Sequence, residues 1–260
     1  MFAEIKKNRT VALEAVRFFA WGQAVVLIAL GVFYLPGRPD AYLSRGLVAT
    51  AGSAVFLAFA LANIGLPGLG AARRLGWANK LTFLRFLLVG PICVLVADGL
   101  VVPALVLYGL SCATDVADGI VARRFREETA FGVLMDPAAD IATTAGLFSV
   151  FFAKAYIPGW VLAVLAARYA SLAAGAALIR FTIGPTTFPA TPTGKIVGVL
   201  QAAAGILILV LSRTGMEWRE QWGWALYPFL GIIFGSVIVS QLVIGVRHIK
   251  KGVRDAGSQR

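Results

Sequence analysis

Eight apolar stretches divide this chain, and their length constrains the fold more than any other feature. They run roughly over residues 15–36, 46–70, 82–99, 101–122, 133–153, 158–179, 196–212 and 224–246. A helix needs about 20 apolar residues to cross the hydrocarbon core of a bilayer. Lipid offers no partner to an open backbone group, so a spanning segment is either a helix or a strand of a closed barrel. The two-residue alternation of a barrel strand is absent, so helices are expected. Turn signals fall between the stretches: Pro36-Gly37-Arg38-Pro39, Gly68-Leu69-Gly70, Asp98-Gly99, Ile157-Pro158-Gly159, and Gly184-Pro185 through Pro192. Apolar residues make up 59% of the chain and charged residues 14%, against about half and a quarter in soluble domains. That excludes intrinsic disorder and leaves no stretch for a soluble domain. Neither a sequence repeat nor a low-complexity tract is visible.

The charges set a topology. Eight spans place both ends on one side of the membrane. With the N-terminus in the cytoplasm, 16 Lys/Arg fall on the inner side, from Lys6, Lys7 and Arg9 to the basic tail at Arg247–Arg260. Only Arg38, Arg45, Lys154, Arg213 and Arg219 fall outside, while Arg17, Arg85 and Arg168 lie within helices. This bias is the positive-inside pattern. The first apolar stretch is too long for a signal-peptide core and lacks a clean cleavage site, so a retained first helix is expected. The net charge of +11 does not indicate nucleic acid, because the cations are scattered in short clusters between apolar runs. Trp160, Trp218, Trp222 and Trp224 fall near outer ends and are expected as interfacial anchors. Asp98 is expected to be solvated at an outer turn, and His248 to be interfacial. Gly109, Gly146 and Gly175 are expected to pack helices. Cys93 and Cys112 lie in apolar runs and form neither a disulfide framework nor a zinc site.

Four carboxylates break the apolar pattern. Asp115 and Asp118 close the fourth stretch; Asp136 and Asp140 open the fifth. A single carboxylate at a helix centre costs about 2.5–3.5 kcal/mol on insertion scales, so intramembrane acids point to function. Asp115, Asp118, Gly119 and Ala122 recur at helical spacing on one face, and so do Gly132, Asp136 and Asp140. A short basic loop joins the two helices, which makes them antiparallel neighbours with all four acids at similar depth. Such a cluster cannot stay fully ionised unaided. It is relieved by protonation or by divalent metal, and all-oxygen ligands suit Mg²⁺ or Mn²⁺ better than zinc. Paired metal ions are the usual clamp for displacement at phosphorus. Arg123 and Thr129 nearby could hold further phosphate oxygens. A cation- or proton-coupled transporter is the alternative of another class.

The stretch Asp115-Val-Ala-Asp118-Gly119-Ile-Val-Ala122-Arg123, then Gly132, Asp136 and Asp140 at spacings of four, resembles the signature of the CDP-alcohol phosphotransferases. Asn79-Lys80-Leu81-Thr82-Phe83-Leu84-Arg85 is similar to the opening of that family's six-helix core, with Ala78 in place of a proline. The resemblance implies an all-α integral membrane enzyme. Residues 1–72 would add two transmembrane helices to a core at 73–250, followed by a basic cytoplasmic tail at 251–260. It also implies that Asp115, Asp118, Asp136 and Asp140 hold two divalent cations, Mg²⁺ or Mn²⁺, and that Asp140 is the catalytic base. Asn79, Thr82, Gly119, Ala122, Arg123, Thr129 and Gly132 would contact the CDP-lipid. The implied reaction transfers a phosphatidyl group from CDP-diacylglycerol to an alcohol, releasing CMP at the cytoplasmic side of the membrane. Members are commonly homodimers.

The spare inner cations Arg168, Arg180 and Lys195 are expected to read an anionic acceptor. Gly194-Lys195 followed by Gln201, with Arg168 26 residues before Gly194, resembles phosphatidylglycerophosphate synthases, although Val197 and Gly198 replace a lysine and a threonine. Glycerol 3-phosphate is therefore the expected acceptor. Cardiolipin synthase-type and phosphatidylinositol phosphate synthase-type acceptors are the alternatives.

Overall fold

Each of the eight apolar stretches builds one helix. The computed structural model describes residues 2–64, 76–125, 130–182, 192–215 and 217–257. The helices are α1 (Phe2–Tyr34), α2 (Pro39–Ile64), α3 (Trp77–Ala97), α4 (Val101–Phe125), α5 (Ala130–Ala153), α6 (Gly159–Thr182), α7 (Pro192–Leu211) and α8 (Trp218–Gly257). No strand occurs among the described residues. The main departure from expectation is length. α1 begins 13 residues before its apolar stretch and α8 runs 11 beyond its own. Lys, Arg and Glu are good helix formers, so nothing stops a helix at the edge of its apolar part.

Six of these helices hold stretches long and apolar enough to cross a membrane: Thr10–Tyr34, Pro39–Ala62, Trp77–Ala97, Val101–Val121, Ile196–Thr214 and Trp218–Gln241. Among the described residues, α6 adds an apolar stretch at Gly159–Gly175. Large apolar side chains face outward along these helices, including Trp21, Ile28, Val55, Val199 and Ile232. So much apolar surface suits lipid and not water. The chain is an integral membrane protein.

Two compact units divide the chain, residues 1–150 and 151–260. In the first, α3 is the central post. Of its span 61% is buried, against 22% for α1 and 28% for α2. Phe56 of α2 stacks on Phe86 and meets Phe83 edge-on at 5.6 Å. Around them close Val11 and Ala15 of α1, Ala60 of α2, and Met135 and Ala139 of α5. The backbones of α2 and α3 approach closely at Gly90, where an added Cβ would lie 2.5 Å from the Ala49 carbonyl oxygen. Small residues permit this kind of approach between membrane helices. Gln23 of α1 donates to Ser53 of α2, pairing two buried polar groups inside the apolar layer.

The three helices are tied again at one end of α3. Arg45 of α2 grips Asp98 with two hydrogen bonds, 2.8 and 2.6 Å long. Tyr34 of α1 donates to the same carboxylate at 2.6 Å. Asp98 is therefore not the solvated residue expected; its side chain is only 7% exposed. Gly99, at φ +78°, makes the turn that sets it there.

The second unit contains α6 to α8. Tyr227 of α8 donates to the Tyr156 carbonyl at 3.0 Å. Trp218 packs edge-on to the Tyr156 ring at 6.4 Å and is 1% exposed. It is a core residue, which corrects its assignment as an anchor, whereas Trp160, Trp222 and Trp224 are exposed. The glycines differ likewise. An added Cβ at Gly146 would meet Cys93 and Val89, whereas at Gly109 and Gly175 it would meet nothing within 4 Å among the described residues.

Candidate active site

Asp115, Asp118 and Asp136 converge, and the group they converge on belongs to a third helix. Arg85 of α3 pairs with Asp115 and, at 2.7 Å, with Asp118, both on α4; it lies 3.7 Å from Asp136 on α5. Thr82, one turn earlier on α3, donates to Asp136 at 2.7 Å and lies 3.5 Å from Asp118. Its hydroxyl also reaches the Ala78 carbonyl, 3.2 Å away. Asn79, a further turn back, is buried at 4% exposure. The helical spacing of Asn79, Thr82 and Arg85 thus carries three polar side chains down α3.

Burial within the cluster is uneven. Arg85 and Asp118 side chains are 4% and 8% exposed, while those of Asp115 and Asp136 are 56% and 50% exposed. The Arg85–Asp118 pair is thus shielded from water. Removing one partner of such a pair leaves an uncompensated buried charge and typically costs about 3–5 kcal/mol. Asp115 and Asp136 keep one side open to a ligand. Asp140, four residues along α5, is exposed.

This donor set fits a hard divalent cation in kind, since it offers carboxylate and hydroxyl oxygens only. It also carries excess negative charge: three acids surround one guanidinium. Among the described residues, however, no group of three metal-ligating side chains stands around one metal position. Arg85 is at the centre of the acids instead.

The remaining sequence-derived positions divide three ways. Gly119 is half-buried on α4 and Gly132 is buried on α5. Ala122 and Arg123 lie on α4, Arg180 on α6 and Lys195 on α7, with side chains outside the described residues; Thr129 is outside them altogether. Arg168 lies on α6, in the second unit, and is 6% exposed. It donates to Gln201 of α7, whose amide nitrogen in turn lies 3.3 Å from the Tyr169 hydroxyl. The Arg168 guanidinium also lies over the Tyr169 and Phe234 rings, at 5.2 and 6.0 Å. No carboxylate pairs with it among the described residues.

Arg85 is the site residue that the acid pattern alone did not reveal. The signal was present: a cation eight residues into an apolar helix needs an anionic partner as much as the acids need a cation.

The profile of the CDP-alcohol phosphatidyltransferase family matches residues 75–239. A "Probable phosphatidylglycerophosphate synthase" of Mycobacterium tuberculosis is 27% identical over 200 residues, covering 74% of this chain and 88% of that protein. A "Putative cardiolipin synthase" of Mycobacterium bovis is 27% identical over 195 residues, covering 71% of this chain and 91% of its own length. No solved structure matches significantly. The family match spans well over half of the sequence and contains Thr82, Arg85 and all four acids, and the chain belongs to the CDP-alcohol phosphatidyltransferase family.

Proposed function

We propose that the protein transfers the phosphatidyl group of CDP-diacylglycerol to glycerol 3-phosphate, releasing CMP. The observation that carries this reading is the meeting of Asp115, Asp118 and Asp136 around Arg85, with Thr82 bonded to Asp136. Asp115, Asp118, Asp136 and Asp140 would hold two divalent cations, Mg²⁺ or Mn²⁺. When bound, such cations neutralise charge on the diphosphate and polarise the phosphorus under attack.

The chain's own residues supply the rest. Asp140, exposed on α5, takes the proton of the acceptor hydroxyl as its oxygen bonds to the β-phosphorus. The bond from that phosphorus to the bridging oxygen breaks, and CMP leaves with the electron pair. Asn79, Thr82, Gly119, Ala122, Arg123, Thr129 and Gly132 form the nucleotide side, with small residues leaving room where the diphosphate must approach. Thr82 orients Asp136 through its hydrogen bond.

The M. tuberculosis relative, a probable phosphatidylglycerophosphate synthase, supports glycerol 3-phosphate as acceptor. Arg168 adds a buried cation with neutral partners, which suits an anionic ligand, and Arg180 and Lys195 are assigned with it. A cardiolipin synthase-type reaction, with phosphatidylglycerol as acceptor, is the second reading, on the M. bovis relative. Family membership favours either over a transporter. The proposal includes eight spans, with α1 and α2 (within residues 1–72) added to a six-helix core (73–250), both termini and the site at the cytoplasmic face, and a homodimer.

The test is CMP release from labelled CDP-diacylglycerol by purified protein, across glycerol 3-phosphate, phosphatidylglycerol and inositol phosphate. Glycerol 3-phosphate should support release, and Asp136→Asn and Asp140→Asn should abolish it in folded protein. Full activity in both variants would refute the site; release only with another acceptor would refute the acceptor.

A further inference from the structure

We infer that Arg85 is a built-in counter-ion that holds the acid cluster together when no divalent cation is bound, and that it weakens the cluster's hold on that cation. This rests on the proposed metal-binding role of the acids. One guanidinium reaches three carboxylates from two other helices. It sits on α3, whose span is more buried than those of α1, α2 and α4, and its own side chain is 4% exposed. Packing therefore fixes it in place. Its Nε is buried with no hydrogen-bond partner, so the carboxylates engage the guanidinium tip and not the whole fork.

The consequence is a matter of charge. Without Arg85, Asp115, Asp118 and Asp136 would repel one another at close range, and α4 and α5 would separate unless a cation filled the gap. With Arg85, one of the three negative charges is cancelled permanently. A divalent cation entering the cluster meets a fixed positive charge a few ångströms away and carboxylate oxygens already engaged. Both effects lower its affinity. The design favours a site that stays assembled between turnovers and does not depend on metal to fold.

The experiment uses full-length protein in detergent micelles. Thermal unfolding is followed in EDTA and in Mn²⁺, and Mn²⁺ affinity is measured by electron paramagnetic resonance, for wild type, Arg85→Gln and Arg85→Lys. Wild type should remain folded in EDTA. Arg85→Gln should unfold at a lower temperature in EDTA, gain more from Mn²⁺ than wild type does, and bind Mn²⁺ about tenfold tighter or more. Arg85→Lys, a point charge that cannot bridge three carboxylates, should shift both quantities less; it carries the comparison if Arg85→Gln cannot be recovered folded. Unchanged or weaker Mn²⁺ binding in the variants, or unfolding of wild type on chelation, would overturn the inference. Absence of Mn²⁺ binding by wild type would remove the metal-site reading itself, and this inference with it.

Discussion

Gly90 offers the sharpest test of the packing that sets the site. Replacing it by alanine places a Cβ 2.5 Å from the Ala49 carbonyl oxygen, 2.6 Å from its Cα and 2.9 Å from its carbonyl carbon. Carbon atoms in comfortable contact stand about 3.5–4.0 Å apart. All three obstacles are backbone atoms, so no rotamer change relieves them, and α2 must retreat from α3 by roughly 1 Å. Overpacking of this kind costs about 1–3 kcal/mol. Alanine also gains about 0.8–1.0 kcal/mol over glycine in helix propensity, which partly hides the effect. Gly109→Ala on α4 isolates that gain, because its added Cβ meets nothing within 4 Å. The two variants should therefore differ by about 1–3 kcal/mol, with Gly90→Ala the less stable. Thermal unfolding of both proteins in one detergent, by circular dichroism, measures the difference. Equal stability of the two variants would show that α2 and α3 do not approach as closely as described.

Two further outcomes are expected. Asp98→Asn removes the charge that Arg45 and Tyr34 share, and should cost about 1.5–2 kcal/mol, the lower part of the range for hydrogen bonds to ionised groups, since Arg45 is partly exposed; identical melting with and without the substitution would mean that the end of α3 is not latched there. Thr82→Val deletes the 2.7 Å hydrogen bond to Asp136 and should slow CMP release about tenfold, as loss of roughly 1.4 kcal/mol of positioning implies. Thr82→Ser, which keeps the hydroxyl, should retain most activity, and equal rates for the two would sink the assignment.

The sequence shows the helices plainly because an apolar run of membrane length has one viable backbone in lipid. It shows their ends poorly: nothing apolar marks where the basic flanks of α1 and α8 stop being helical. The acids are legible from spacing alone, since i, i+3 and i+4 positions share a face. Their partner is not, because pairing between α3 and α4 is a property of packing and not of spacing. Asp98 misled for a related reason. A carboxylate next to a glycine turn looks solvated until Arg45 and Tyr34, 53 and 64 residues earlier, are brought to it. Trp218 likewise sits among other tryptophans at a helix start, and only the position of Tyr156 decides that it faces inward.

The two ionic attachments of α3 have opposite timing. Synthesis delivers the chain from its first residue. When Asp98 emerges from the ribosome, Tyr34 and Arg45 have already been made, so its partners are waiting. Arg85 has none until Asp115 and Asp118 follow, 30 and 33 residues later. A nascent chain halted after α3 would therefore hold a carboxylate whose partners are already made and a guanidinium whose partners are still to come.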